Sequence, residues 1–309
     1  MKKIYYITAV FATLFLVGCG DGIDLPGVNV ETDLNKIPLP DNNVNLEQVE
    51  LKPSTEPMLH EGLHTEEDFQ RIRDKKAAGE EPWVSAYQLL VESQFSQKTA
   101  DTYPTEWIKR GISGDENYMN AARGATIVYQ QALRWKIEQD DEYAAKAVEN
   151  LNKWVQTCVG VTGNTNLSLA AGLYGYEFAI AGELLRDYGG WDRADFAAFQ
   201  NWLLKVFYPA NDDFLKRHHD TNALHYWANW CLCNIAAKMA IGIVTDRRDI
   251  YNEGIDHLQT GDTNGRLRRA IYHDYAPDYN FAQWQESGRD QGHTLMCVGL
   301  MGIICQLAW

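Results

Sequence analysis

The sequence lacks an excess of positive charge: 42 acidic side chains stand against 28 lysines and arginines, a formal net charge of -14. So acidic a chain repels phosphate backbones and anionic headgroups, which excludes nucleic acid and an anionic membrane surface as partners. Any site for an acidic substrate must then be locally basic. A disulfide framework is also lacking. Beyond Cys19 there are Cys158, Cys231, Cys233, Cys297 and Cys305, an odd number in apolar helical surroundings, which read as small core residues. No second pair and no suitably spaced histidine makes Cys231 and Cys233 a zinc site. No run follows the strand period of two. No G-x-S-x-G elbow, H-E-x-x-H or P-loop occurs, and Gly172 to Gly175 has no preceding strand to make it a nucleotide fingerprint.

What is present begins with a targeting segment. Lys2 and Lys3 precede an apolar stretch from Ile4 to Val17, which is short for a transmembrane helix. Leu16-Val17-Gly18-Cys19 resembles the cleavage box of bacterial lipoproteins, with Cys19 as the lipid anchor. The expectation is a signal peptide over 1–19, a flexible tether over 20–57 and one domain over 58–309, a lipoprotein of the bacterial cell envelope, periplasmic or outer-membrane-anchored. Hydrophobic residues make up 45% of the chain, enough for a sizeable core.

From about residue 65 the pattern is helix after helix. Ala144, Ala147, Val148, Leu151, Trp154, Val155 and Cys158 keep the 3.6 period. Asp192 can cap a helix carrying Phe196, Phe199, Leu203 and Phe207, with Pro209 just beyond its end. Leu167–Leu185 and Tyr226–Val244 are apolar nearly all round, hence buried on most sides. Helices joined by short loops predict an all-α fold of stacked αα-hairpins, an α/α toroid or incomplete barrel. The chain stops at Trp309 inside an apolar helical run without a cap, so a C-terminal truncation is expected.

Two polar segments interrupt this apolar pattern. Residues 283–293 crowd amides, carboxylates, a guanidinium and an imidazole at the mouth of the last helix. Either a carbohydrate site or a buried structural network would account for them. In the second, from His225 to Trp230, His225 and Asn229 are four apart and should share a helical face. Between the two lie Tyr272, Tyr275 and Tyr279, expected in a loop. Six of the eight histidines and a cluster of arginines fall in this last third, the locally basic region an acidic substrate needs.

His60 to Phe69, Glu81-Pro82-Trp83, Ala132 to Trp135, Ala171 to Phe178, Phe207-Tyr208-Pro209, His225 to Trp230 and Gln283 to His293 resemble, in order, the alginate-lyase-domain proteins of the chondroitin AC/alginate lyase toroid superfamily. The resemblance runs from about residue 58 to the end. It departs at Cys231, where the family usually has Asp. It implies a toroid and a polysaccharide lyase acting on a uronic-acid polymer such as alginate or a glucuronan.

Such a lyase removes the C5 proton and expels the C4 oxygen, leaving a 4,5-unsaturated uronate. Neutralising the C6 carboxylate stabilises the developing enolate, and a base and an acid handle the protons. The catalytic set expected here is His225 as base or carboxylate partner, Asn229 and Arg289 at the carboxylate, and Tyr275 as proton donor. Tyr174, Tyr176, Tyr279, Trp284, Gln285, Glu286, Gln291 and His293 are the expected substrate-binding residues. The chemistry needs no metal or cofactor. A glycoside hydrolase using Glu286 and Asp290, or an anchored glycan-binding protein without turnover, would also suit an α/α architecture.

Overall fold

The computed structural model describes residue 58, residues 62–275 and residues 282–309. Cys19, the tether and Tyr279 lie outside the described residues. The described chain is mostly helical, an all-α fold. Its helices are α1 (Glu66–Ala77), α2 (Trp83–Glu92), α3 (Tyr118–Glu138), α4 (Asp141–Thr157), α5 (Leu167–Leu184), α6 (Arg193–Val206), α7 (Tyr208–Arg217), α8 (Ala228–Val244), α9 (Arg248–Thr260), the single turn α10 (Leu267–Ala270) and α11 (Gln291–Ala308).

Local chemistry sets several of the helix starts. Thr65 and Asp68 form a reciprocal capping box on α1. Asp140 caps α4 through the Glu142 amide, and Asp192 caps α6 through the Ala194 amide. Pro209, expected beyond the end of α6, sits in the first turn of α7, where its missing N–H costs no hydrogen bond.

Four helices, α3, α5, α8 and α11, form an inner row. They are parallel, because contacts near their starts are repeated near their ends. Asn234 reaches the Ser168 carbonyl (3.2 Å), and Arg186, just past the end of α5, reaches the Val244 carbonyl (2.8 Å). Thr126 of α3 meets Glu177 of α5 at 3.1 Å. Asn229 of α8 lies against Met296 of α11, while Ile243 and Leu307 line one cleft at the other end. Outer helices run back antiparallel: Gly182 faces Phe199 and Gly175 faces Phe207. Gly172 lets α5 and α8 approach closely, since a Cβ there would stand 2.5 Å from Cys233 Sγ.

α8 is buried along all its length except Trp230. Even Lys238 is fully enclosed, held by Asp212 of α7 (2.8 Å) and Glu253 of α9 (2.5 Å), so the outer helices supply the counter-charges that a buried ammonium requires. Among the cysteines, Cys158, Cys231, Cys233 and Cys297 are buried as expected, whereas Cys305 is exposed. Leu295 and Val298 in the first half of α11 and Trp309 just after it are also exposed.

Strands do occur, contrary to the sequence reading. β1 (Trp107–Arg110) pairs in parallel with β2 (Gly160–Gly163), and β3 (Ile271–Asp274) pairs antiparallel with β4 (Ala282–Trp284). Each is at most four residues long, too short to display a period. Gly163 takes φ +145°, and a Cβ there would collide with the Arg110 carbonyl, which fixes the end of β1. Tyr272 and His273 therefore lie on a strand and not in a loop.

Candidate active site at the mouth of the inner row

α8 starts without a cap of its own. Trp227 occupies the N-cap position and offers no side-chain acceptor, so the first amides of the helix need partners from elsewhere. They find them 57 residues downstream: Gln285 Oε1 accepts from the Ala228 N–H (3.0 Å) and Glu286 Oε1 from the Asn229 N–H (2.9 Å). Glu286 is fully buried and also accepts from Cys297 Sγ (3.1 Å) and Arg289 Nη1 (2.9 Å). The positive end of α8 favours a carboxylate there, and burial beside it pushes the Cys297 thiol well up. The two polar segments of the sequence are thus one assembly, with the Arg289 guanidinium 5.7 Å from the Trp227 ring.

Each expected site residue can now be placed. His225 is exposed, in the turn before α8, with its ring edge-on to Tyr226 at 5.0 Å. Because α8 begins at Ala228, His225 and Asn229 do not share a helical face. Asn229 is buried beneath the mouth, its Nδ2 3.9 Å from Met296 Sδ and its Oδ1 without a partner among the described residues. Tyr275 is half-buried and donates to Gln283 Oε1 at 3.1 Å. It lines a cleft of about 400 Å³ with Trp284, Ser287, Thr294 and Val298, and Trp284 Nε1 is buried there without a partner among the described residues. Gln291 and His293 lie in the first turn of α11, where Asp290 caps the His293 amide (2.8 Å) and meets its Nδ1 (2.6 Å). Those contacts, the backbone amide first, hold the Asp290 carboxyl below the usual range.

Other expectations are redirected. Gln285 and Glu286 act as the cap of α8, so the structural-network reading holds for these two. The hydrolase pairing loses its candidates, since Glu286 is enclosed and Asp290 is engaged by α11 and His293. Tyr176 is packed in the core, where burial raises its phenol well above 10, and it stands apart from the mouth. Tyr174 is also buried, but its hydroxyl lies 3.5 Å from Arg110 Nη1.

The sequence reading missed three features. Arg110 ends β1 with its guanidinium carbon 4.6 Å from the centre of the Tyr118 ring. Thr126, Glu177, Tyr129 and His64 form a polar column between α3 and α5. His64 Nε2 lies 2.6 Å from the Tyr129 hydroxyl, and burial pushes His64 down to about 4. Glu177 keeps part of its surface open, yet its carboxyl lies deep enough that burial drives it up to about 8, against the Thr126 hydrogen bond. Finally His218, His219 and Asp220 take φ of 49°, 53° and 59°, a left-handed turn costing about 1–2 kcal/mol per residue. It places His219 Nε2 3.0 Å from Ser168 Oγ at the start of α5 and leaves His218 Nε2 buried without a partner among the described residues. Backbone strain of this kind is concentrated at functional sites. The adjacent His218-His219 pair was the sequence signal available.

The family described as Alginate lyase matches residues 72–273, more than half of the chain. The matched span includes Arg110, His219, His225 and Asn229 and ends before Tyr275 and Arg289. None of the curated proteins matches the chain.

Proposed function

The chain belongs to the alginate lyase family, and from that membership we propose that it cleaves a uronic-acid polymer by β-elimination at the N-terminal mouth of the inner row. The family supports a polysaccharide lyase in general. The observation that carries the location is the joining of the two polar segments, with Gln285 and Glu286 capping α8 and Arg289 beside Trp227. Parallel helix starts add positive dipole ends, which favour a carboxylate-bearing substrate.

In this reading exposed His225 takes the C5 proton while Arg289 offers its remaining N–H groups to the C6 carboxylate. The electron pair forms the C4=C5 double bond, the C4–O bond breaks, and Tyr275 protonates the departing oxygen. The Tyr275 phenolate is reprotonated through solvent by the His225 imidazolium, so no proton is gained or lost over a cycle. Asn229, buried under the cap, acts as a positioning residue. Incubation with a panel of polyuronates tests this: absorbance of the conjugated double bond should grow with time. Reducing ends without that absorbance would mean hydrolysis, and neither signal would mean binding without turnover.

The Leu16-Val17-Gly18-Cys19 box supports a lipid anchor at Cys19 that would hold the domain at the bacterial envelope. Cys19→Ala should then move the protein from the membrane fraction to the soluble one, and unchanged fractionation would remove the anchor.

A further inference from the structure

The charge on Arg289 is offset by its own neighbours: Glu286 is 2.9 Å away and Asp290 3.9 Å. Arg110 differs. It is half-buried, and among the described residues no carboxylate lies within ion-pairing distance of it. Among the other arginines, Arg73, Arg134, Arg186, Arg217 and Arg247 hold carboxylates. Arg266 and Arg269 donate instead to backbone carbonyls. Arg110 has a phenol at 3.5 Å and a ring face at 4.6 Å. Neither neutralises a cation, since burial pushes the Tyr174 phenol well above 10 and keeps it uncharged.

The guanidinium is also held in place. Arg110 pairs with Gly163 in the β1–β2 ladder, the Gly163 backbone admits no Cβ against it, and Gly111 next to it is packed on Asn164. Tyr118 opens α3 and Tyr174 lies in the second turn of α5, so the group sits where the inner row begins. The start of α5 is packed against α8, with Gly172 on Cys233, so the helix that carries Tyr174 is the neighbour of α8. A partly desolvated guanidinium without a counter-ion is costly unless an anion completes it, and its planar fork matches a carboxylate.

We propose that Arg110, braced by Tyr118 and Tyr174, is a second carboxylate-binding subsite of the mouth that takes the C6 carboxylate of a uronate unit. The proposal rests on the polyuronate reading above. It makes the site recognise a chain of acidic sugars by two separated charges and not by one.

The test is calorimetric binding of a uronate oligosaccharide and of its carboxyl-reduced, neutral counterpart to the full chain. Hydrogen bonds to charged groups are worth about 1.5–3 kcal/mol. Arg110→Gln should therefore weaken the acidic ligand about 10- to 100-fold and leave the neutral one unchanged. Arg110→Lys keeps the charge without the fork and should lose several-fold for the acidic ligand alone. If Arg110→Gln does not fold, Arg110→Lys decides by that selective loss. Wild-type affinity for the acidic oligosaccharide in the folded variants, or equal losses for both ligands, overturns the subsite. In that event, double-bond formation by the wild type leaves the lyase reading standing. A wild type that neither binds nor cleaves any polyuronate ends both.

Discussion

The two ends of the inner row are made from the same four helices and are finished in opposite ways. At the C-terminal end Arg186 donates to the carbonyl of Val244, pairs with Glu183 at 2.9 Å and reaches Asp246, while Gln200 donates to the same Val244 carbonyl at 2.7 Å. The cleft there, about 310 Å³, is lined by apolar side chains such as Leu63, Ile180, Ile243 and Leu307 and by the charged Glu66, Lys136, Glu183 and Asp187. At the N-terminal end α8 has an imported cap, Asn229 Oδ1 and Trp284 Nε1 have no partners among the described residues, and His218 to Asp220 are strained. Cleft size alone does not distinguish the ends. The placement of the unpartnered polar groups does: at the C-terminal end Trp191 Nε1 is enclosed against Phe196 and Phe199, whereas at the mouth Asn229 Oδ1 lies under the cap and Trp284 lines the cleft.

The sharpest way to break this comparison is to remove mouth residues and watch chemistry, not stability. His225→Ala and Tyr275→Phe should each lower double-bond formation about 10²–10⁴-fold with melting temperatures near wild type. Retention of turnover by both would remove the mouth as the reaction centre. Glu286→Ala strips the cap, leaves the Asn229 amide without its acceptor and leaves Arg289 only the longer contact to Asp290 (3.9 Å), so it should destabilise the fold by about 3–5 kcal/mol in denaturant unfolding. If stability holds and only KM rises, Glu286 is a sugar contact after all. Arg186→Ala addresses the closed end: a loss of about 1–3 kcal/mol is expected with KM unchanged.

The smallest effect concerns pH. Glu177, raised from 4.5 to about 8, holds a proton in the fold that the unfolded chain releases, so its contribution is full below 4.5 and is lost as pH rises through 8. His64, lowered from 6.5 to about 4, contributes above 6.5 and loses that contribution as pH falls through 4. The two slopes oppose between 4.5 and 6.5, which predicts a flat stability profile there. Glu177→Gln should melt higher than wild type at pH 8.5 and equally at pH 4. Each pKa unit is worth about 1.4 kcal/mol, reduced to the order of 1 kcal/mol overall by the open part of the side chain. A gap that does not change with pH would contradict the assignment.

What was legible in the sequence was what neighbours in the chain decide. The apolar period of α4 and the Asp192 cap of α6 are local, and both appear as read. The burial of α5 and α8 followed from their all-round apolarity. The β1–β2 pairing was not legible, because it joins residues about fifty apart through strands too short to carry a pattern. The start of α8 was misread for the same reason. Nothing at Trp227 marks a cap, and the spacing of His225 and Asn229 imitates a helical turn. The atoms that decide where α8 begins belong to Gln285 and Glu286. Arg110 left no mark at all, since what singles it out is a tertiary setting, a guanidinium held between Tyr118 and Tyr174 at the end of the β1–β2 ladder without a carboxylate.

The imported cap also bears on how the site comes into being. The first turn of α8 has no stable form until residues 283–290 dock on it, so the mouth is assembled by a contact of long sequence separation, late relative to the hairpins that nucleate locally. The amides of Ala228 and Asn229 then become a gauge. In native-state hydrogen exchange their protection should follow docking of that segment and not the stability of α8 itself, which is buried from Cys231 onward. A ligand gripping Arg289 would tighten the segment and slow exchange at those two amides, so occupancy of the mouth could be counted on backbone protons that never touch the sugar.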